Sequence, residues 1–297
     1  MNVVQHKKIY LTVSALLVGA SIAVIAVAGL RFGIDFTGGT QWQFKVENSA
    51  EPAPATKAQL ESIFQTDLEL PNVLIAEQGE STFLVRLPEV DEPQHQLMRQ
   101  ALENQIGPVE ELSFESIGPA ISGELRTGSI RVFILVLVAI SLYVIFAFRK
   151  ISYRLPSWKY GLITLITLFH DALIAIGFFA FLGYLSGAEV DVSIVVAILV
   201  VMGFSVHDTI VVFDRIRENL GIEQKSDLQT VVNMSVRETL ARSVNTSLTL
   251  IIVLIALLLF GADSLNYFIW TILIGTVAGT YSSIFVASPL LTLGRKE

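Results

Sequence analysis

Residues 205–219 read SVHDTIVVFDRIREN, and they follow a largely apolar run from Val190 to Phe204. Asp208 therefore lies on a predicted membrane-spanning helix, where a carboxylate costs about 2.5–3.5 kcal/mol and usually faces a protein interior or a water path. A second stretch, Glu238 to Ser247, places Arg242 where the next apolar span begins. An acid inside the membrane and a base at its edge indicate coupling to protons or ions.

The composition is that of a polytopic membrane protein. The 297 residues are 53% hydrophobic and 16% charged, with a mean hydropathy of +0.63, which is too apolar for a soluble domain. The absence of cysteine excludes disulfides and sites that bind zinc or iron–sulfur clusters through cysteine. The net charge of −7 argues against a nucleic-acid partner.

Several segments are apolar and long enough to cross a lipid bilayer, for which about 20 residues are needed. They are Ile9–Leu30, Ile130–Phe148, Tyr160–Leu185, Val190–Phe213, Val244–Phe260 and Asn266–Leu293. The first is longer than the apolar region of a usual signal peptide, and no Ala-x-Ala site breaks it cleanly before Arg31, so it is predicted to be a retained anchor. The predicted fold is an α-helical six-helix transmembrane bundle, with the first helix in residues 1–30 and the other five in residues 130–297.

The basic residues determine the predicted topology. They fall before, between or after the spans at Lys7, Lys8, Arg149, Lys150, Arg154, Lys159, Arg215, Arg217, Lys225, Arg237, Arg242, Arg295 and Lys296. With six spans, all of these segments lie on one side of the membrane, which the positive-inside rule makes the cytoplasm. Both termini are therefore predicted to be cytoplasmic.

Residues 31–129 form a polar segment that this topology places outside. They hold 16 Asp and Glu against 6 Lys and Arg, a bias expected of a translocated domain. Alternating strands and capped helices are predicted in the order βαββαβ, at Gln41–Val46, Thr56–Thr66, Val73–Glu77, Thr82–Leu87, Asp91–Gln105 and Val109–Glu115. This order predicts an external α+β domain of ferredoxin-like fold.

Two glycine-containing stretches flank this segment. Gly38 and Gly39 follow the first span, and because glycine permits a positive φ angle and a close turn, a strand-to-helix joint at the membrane surface is expected there. Gly118, Pro119 and Gly123 precede the second span. Such residues break regular structure and predict a hinge.

The apolar spans contain few ionisable residues, namely His170, Asp171, Asp191, His207 and Asp208. A short connection makes spans three and four antiparallel neighbours, so the two His-Asp pairs are expected to approach each other. Histidine and a buried aspartate can both exchange protons near neutral pH, which predicts a proton relay. Arg242 would stabilise ionised Asp208 in one conformation and leave it in another.

Each of these residues also has a structural interpretation. Asp208 could bond Thr209 or Ser247 across helices, a contact worth about 1 kcal/mol. His170 and His207 would then support the aspartates by hydrogen bonding, and the arginine at the mouth of span five would only mark the cytoplasmic boundary. The charged end of span four is predicted to be a solvated helix end with modest pair effects; it comprises Asp214, Arg215, Arg217 and Glu218.

Motifs spread over nearly the whole chain carry a family resemblance. They are Gly33-Ile34-Asp35-Phe36-Thr37-Gly38-Gly39, Gly118-Pro119 with Gly123-Glu124-Leu125, Phe169-His170-Asp171, the run from Asp208 to Asn219, and Arg242 with Asn245-Thr246-Ser247. With these motifs the chain resembles the SecF branch of the SecD/SecF family of bacterial protein-export membrane proteins, in the resistance-nodulation-division superfamily. One departure is His207, where asparagine is expected in most relatives.

The resemblance implies a subunit that pairs with SecD and associates with the SecYEG channel in the bacterial cytoplasmic membrane. The pair would use the proton-motive force to draw unfolded preprotein outward after the ATP-driven SecA phase. Carried over by position, Asp208 and Arg242 would be the proton-pathway pair, and residues 31–129 the external domain that supports movement. The resemblance implies neither enzymatic activity nor a cofactor or metal.

Other functions stay open as alternatives. Asp171 and Asp208 on adjacent spans are similar to the aspartates of intramembrane aspartyl proteases, but Ser205-Val206-His207 stands where that family has Gly-x-Gly. A metal site built from the two His-Asp pairs is chemically conceivable. A proton-coupled exporter of small molecules or lipids of the same superfamily is a further alternative, as is a scaffold in which Asp208→Asn has no effect.

Overall fold

The computed structural model describes residues 2–46, 56–68, 70, 73–79, 81–149 and 155–293. Its contacts divide the chain into a helical unit, residues 1–31 with 129–297, and an α+β unit, residues 32–128. Within the described ranges, six helices are long and apolar enough to cross a membrane. The predicted fold class, a six-helix bundle with an α+β insertion after the first helix, is confirmed.

The elements follow one another in simple order along the chain. They are α1 (Lys7–Ala28), α2 (Ile34–Thr37), β1 (Gly39–Val46), α3 (Lys57–Ser62) with a π-helical turn (Ile63–Asp67), β2 (Leu74–Glu77), β3 (Thr82–Leu87), α4 (Glu92–Ile106), β4 (Val109–Ile117), α5 (Pro119–Ala147), α6 (Ser157–Ser186), α7 (Val192–Ile222), α8 (Leu228–Phe260), a 3₁₀ turn (Asp263–Leu265), α9 (Asn266–Ser282), a second π-helical turn (Ser283–Ala287) and α10 (Ser288–Leu291). Four residues used for the predicted topology lie outside the described residues, namely Lys150, Arg154, Arg295 and Lys296.

The second spanning helix begins earlier than its apolar run. Pro119 occupies the first position of α5, where its missing N–H is no loss and its fixed φ angle suits a helix. Gly123 lies inside the same helix, and the amide of Ser122 already bonds the carbonyl of Gly118 at 3.1 Å. The predicted break in structure at Gly123 is therefore wrong, because an isolated glycine costs a helix only about 1 kcal/mol. A hinge around Gly118 and Pro119 stays a prediction.

Three spans form the centre of the helical unit. The apolar windows of α6, α7 and the span Asp263–Leu291 are 44% to 61% buried, whereas those of α1, α5 and α8 are 11% to 17% buried. Glycines allow the central helices to approach closely, since a Cβ atom at Gly279 of α9 would lie 2.8 Å from the Cβ of Ser205 on α7. The hydrophobic effect does not hold helices together in lipid, so close packing at small residues stabilises such crossings.

The α+β unit is a four-stranded sheet in the order β2-β3-β1-β4, with every neighbouring pair antiparallel. Two helices, α3 and α4, connect the strands and begin at the capping boxes Thr56–Gln59 and Asp91–Gln94. Alternate strand residues point into one core, which contains the fully buried Trp42 and Phe44. The chain order βαββαβ with this strand order is the ferredoxin-like topology.

The joint in front of β1 uses the conformational freedom of glycine. Asp35 lies in the first turn of α2, and Gly38 and Gly39 follow with φ angles of +74° and +113°. A Cβ atom at Gly39 would lie 2.8 Å from the carbonyl oxygen of Leu87 on β3. The predicted strand-to-helix order is wrong, because the joint runs from the helix α2 into the strand β1. Both glycines adopt the positive φ angles that the sequence predicts.

Gly39→Ala is expected to destabilise the α+β unit by about 1–3 kcal/mol more than Gly79→Ala, a typical cost of overpacking. Gly79 has a comparable φ angle of +125° but has open space around its missing side chain, so both variants carry the backbone strain and only the first meets the Leu87 carbonyl. Hydrogen exchange of residues 32–128 in the full chain measures the difference. Equal protection in the two variants would contradict the steric explanation.

Candidate functional site

The fully buried Asp171 joins three helices of the bundle. On its own helix α6, His170 Nδ1 lies 2.8 Å from Asp171 Oδ1. Ser205 Oγ of α7 donates to Asp171 Oδ2 at 2.5 Å, and Ser282 Oγ of α9 donates to the same oxygen at 2.8 Å. A buried carboxyl group with this many partners is well compensated for the loss of water.

The ring of His170 is held in one orientation by this contact. Its Nδ1 atom faces the Asp171 carboxyl group, whereas the buried Nε2 atom has no hydrogen-bond partner among the residues that the structure describes. A hydrogen on Nδ1 fits this geometry, because an N–H at Nε2 would be buried without an acceptor. His170 thus serves here as a donor to Asp171.

Asp208 is 1% exposed and has a much sparser set of partners. Ser247 Oγ of α8 lies 3.3 Å from Asp208 Oδ2, and Ser247 in turn contacts Thr280 Oγ1 of α9 at 2.5 Å. The adjacent His207 Nδ1 lies 3.8 Å from Asp208 Oδ1, and the His207 side chain is 63% exposed. The Asp208 carboxyl group is therefore buried, yet its bond to Ser247 is long, and that hydroxyl has a shorter contact with Thr280.

The two aspartates lie in neighbouring but separate hydroxyl clusters. Ser205, which bonds Asp171, precedes Asp208 by three residues on α7, a rise of about 4.5 Å. Within the described ranges, no hydrogen bond or ion pair joins the two carboxyl groups, and no group of three His, Cys, Asp or Glu able to hold a metal is present. The geometry brings each histidine to its own aspartate, and the relay between the two pairs stays a prediction.

Arg242 does not contact Asp208 in this conformation. Its side chain is exposed on α8, and in the described part of the chain no ion pair joins the two residues. Arg242 precedes Ser247 by five residues, a rise of about 7.5 Å along the helix. It lines a polar cavity of about 340 Å³ together with Val211, Asp214, Arg215, Glu218, Glu238 and Thr239. Arg242 thus lines the cavity five residues before the hydroxyl that bonds Asp208.

The charged end of α7 is bound to α8 and is more than a solvated helix end. Arg215 Nε donates to Glu238 Oε2 at 2.6 Å, and its Nη1 donates to Glu218 Oε2 at 2.6 Å. The buried amide of Asn219 donates to Ser235 Oγ at 2.9 Å and to the same Glu238 oxygen at 2.8 Å. These bonds explain why both helices continue beyond their apolar runs.

A second ion pair of this charged helix end lies within α7 itself. Arg217 and Asp214 form an i, i+3 pair at 2.7 Å on the surface of α7, a geometry that contributes only a few tenths of a kcal/mol. The modest effect expected of this pair stays a prediction. For Arg215, the predicted solvated helix end is incomplete, because its partner Glu238 lies on another helix.

Sequence reasoning did not find three hydroxyl groups of the site. Ser205, Thr280 and Ser282 each bond an aspartate or its partner from another helix. A signal was nevertheless present, because the last span places glycine four residues apart at Gly275 and Gly279. Small residues at that spacing mark a helix–helix crossing, and hydroxyl residues beside them are candidates for interhelical bonds.

Two family models match the chain. The model described as "Protein export membrane protein SecD/SecF, C-terminal" matches residues 98–297. The model described as "SecD/SecF GG Motif" matches residues 23–50, which include Gly38 and Gly39. The two matches cover the candidate site and the glycine joint.

Full-length relatives and a solved structure agree with these models. The chain is 41% identical to the protein translocase subunit SecF of Thermobaculum terrenum, over 98% of this chain and 93% of that protein. It is 34% identical to the SecF of Anaerolinea thermophila, over 99% of this chain and 94% of that protein. It also resembles the crystal structure of SecDF, a translocon-associated membrane protein from Thermus thermophilus. The TM-score is 0.78, and the sequences are 31% identical over 98% of this chain. The chain spans only 38% of that longer protein. The chain therefore belongs to the SecD/SecF family of protein-export membrane proteins, as a multi-pass SecF-type translocase subunit and not an enzyme.

Proposed function

We propose that this chain pairs with a SecD subunit and, together with the SecYEG channel, promotes late steps of preprotein translocation across the bacterial cytoplasmic membrane. The likeness to 38% of a translocon-associated SecDF chain supports a partner that supplies the remainder of such an assembly. SecA acts indirectly, since it drives the earlier ATP-dependent phase. The exported substrate is an unfolded polypeptide, and the chain needs neither a cofactor nor a nucleic acid.

Orientation in the membrane follows the basic residues. Arg215 and Arg242 line the polar cavity at one end of α7 and α8, and Lys7 begins α1. The positive-inside rule makes this the cytoplasmic side. Both termini are then cytoplasmic, and residues 31–129 form the external domain.

The proton-motive force acts through Asp208 in this proposal. The observation that carries it is a carboxyl group that is 1% exposed and bonded at 3.3 Å by one hydroxyl, on the helix that leads into the polar cavity. Such an acid has neither a close cationic partner nor full contact with water to hold its negative charge. Its charge can therefore change during a transport cycle. Asp171 has a well-bonded environment and acts as its structural neighbour, with His170 as donor.

Arg242 modulates this change. In the present conformation its side chain is exposed at the cavity, about 7.5 Å along α8 from the hydroxyl that bonds Asp208. A rotation that brought the guanidinium group to Asp208 would favour the ionised carboxylate, and its withdrawal would favour protonation. Alternation between these states would shift α8 against α7, move the external domain and bias the preprotein outward.

Export of a Sec substrate into inverted vesicles tests the proposal. We expect vesicles that hold Asp208→Asn protein with SecD to lose the stimulation of late translocation by a proton gradient, while assembly is normal. Asp227→Asn is the matched control, because Asp227 caps α8 by accepting from the Thr230 amide at 3.3 Å and asparagine caps equally well. If the gradient still stimulates the Asp208→Asn protein as in the wild type, the charge is structural and the proposal fails.

Export of a small molecule or lipid is the second candidate function. An apolar cleft of about 400 Å³ opens between α8 and α9, with the hydroxyls of Ser247 and Thr280 in its wall, a size and character that suit a small apolar ligand. Transport of such a ligand into vesicles that lack a Sec channel would favour this function. The translocase proposal expects none.

A further inference from the structure

The hydroxyl groups of Ser247 and Thr280 connect Asp208 to α9. Ser247 Oγ lies within hydrogen-bond distance of three acceptors, namely Asp208 Oδ2 at 3.3 Å, the Ser243 carbonyl oxygen at 2.8 Å and Thr280 Oγ1 at 2.5 Å. Thr280 Oγ1 also lies 2.9 Å from the carbonyl oxygen of Thr276. Neither residue is among the predicted proton-pathway residues, which are His170, Asp171, His207, Asp208 and Arg242.

From this geometry we infer that Ser247 and Thr280 are a positioning pair, in which Thr280 determines how readily Asp208 holds its negative charge. The inference rests on the proposed function, because it concerns the same aspartate. It extends that function to a residue on the last spanning helix.

The two hydroxyl groups have fewer hydrogens than acceptors. Each hydroxyl has a single hydrogen to donate, and serine or threonine in a helix ordinarily gives it to the carbonyl four residues earlier. If both hydroxyls did so, no hydrogen would remain for the carboxylate or for the Ser247–Thr280 contact. An ionised Asp208 therefore needs the hydrogen of Ser247, and the contact must then be made by the hydrogen of Thr280.

The protonated aspartic acid reverses this chain. Its own O–H donates to Ser247 Oγ, the hydrogen of Ser247 turns to Thr280 Oγ1 or the Ser243 carbonyl, and Thr280 returns to the Thr276 carbonyl. The direction of the hydroxyl chain thus follows the charge of Asp208. Thr280 is required as a donor only in the ionised state.

Several other ionisable groups lie on the helices around Asp208, and the substitution used to test the inference leaves all of them in place. They are His207 on α7, His170 and Asp171 on α6, Glu238 and Arg242 on α8, and Tyr281 on α9. Replacing Thr280 by valine alters none of them and preserves the side-chain shape, although it exchanges a hydroxyl for a methyl group. In the valine variant the ionised state loses the hydrogen that Thr280 donates to Ser247, whereas the protonated state loses only an acceptor.

Infrared difference spectroscopy of the full chain with SecD in lipid tests this. The carboxyl C=O band that disappears in Asp208→Asn reports Asp208, and its amplitude is followed between acidic and alkaline pH. We expect Thr280→Val to move the midpoint of protonation upward by about one pH unit, a tenfold change in the equilibrium, which corresponds to one hydrogen bond. Thr280→Ser, which restores the donor, should return the midpoint to the wild-type value.

Thr276→Val is the matched control on the same helix. The Thr276 hydroxyl is buried and has no hydrogen-bond partner in the described part of the chain, so its loss should leave the midpoint unchanged. An unchanged midpoint in Thr280→Val, or an equal shift in Thr276→Val, would overturn the inference and leave the proposed function intact. If Asp208→Asn removes no titrating band, both the inference and the proposed function are wrong. Should Thr280→Val assemble poorly, Thr280→Ala removes the same donor and gives the same test, with the same direction of shift expected.

Discussion

Replacing Asp171 by alanine is expected to lower the free energy of unfolding by roughly 3 kcal/mol. The carboxyl group accepts hydrogen bonds from Ser205 and Ser282 on two other helices and has a third contact with His170 on its own helix. Each interhelical hydrogen bond in a membrane protein contributes about 1 kcal/mol. The variant loses all three bonds and leaves a cavity where α6, α7 and α9 meet. Equilibrium unfolding of the purified full chain in mixed detergent and lipid micelles measures the loss.

Thr164→Val is the control for this prediction. Thr164 is also fully buried on α6, but its hydroxyl donates at 2.9 Å to the Tyr160 carbonyl of the same helix. The bond therefore connects no second helix, and valine keeps the volume, so a loss below about 1 kcal/mol is expected. Similar losses in the two variants would show that Asp171 contributes no special connection between helices.

Gly177→Ala is expected to have the second large effect, a loss of about 1–3 kcal/mol by overpacking. A Cβ atom at Gly177 of α6 would lie 2.7 Å from the Cα atom of Ser21 on α1. Because this is a backbone atom, α1 as a whole must shift to make room. The same unfolding experiment measures the loss, and cross-linking between α1 and α6 reports the displacement.

Gly203→Ala separates this steric effect from helix propensity. Gly203 lies inside α7 and has nothing within 4 Å of the position of its missing Cβ atom. Alanine there should stabilise the helix by up to about 1 kcal/mol. The prediction for Gly177 fails if both alanine variants are equally stable or both are more stable than the wild type.

Elements determined by local pattern were predicted well from the sequence. The strand Thr82–Leu87 has the same limits in prediction and structure, because its alternating apolar residues indicate one buried face. The capping box at Thr56 begins α3 as predicted, since capping is decided within four residues. The positive φ angles of Gly38 and Gly39 are likewise a local property.

Contacts between residues far apart in the sequence could not be predicted from local patterns. The apolar criterion ends span four at Phe213, whereas α7 continues to Ile222, because Arg215 and Asn219 bond Glu238 on another helix. The partners of Asp171 lie 34 and 111 residues along the chain. No local pattern connects residues so far apart, and the roles of Ser205 and Ser282 appear only once the helices are packed.

The long sequence separation between Asp171 and its partners affects the chain while it is being synthesised. Asp171 is made 111 residues before Ser282, its donor on α9. A nascent chain therefore inserts α6 into the membrane while this carboxyl group still lacks one of its bonds. Chains that end before Ser282 keep that deficiency permanently, so we expect them to be preferred substrates of membrane quality-control proteases. Insertion of the last span is thus the step that makes the newly made protein long-lived.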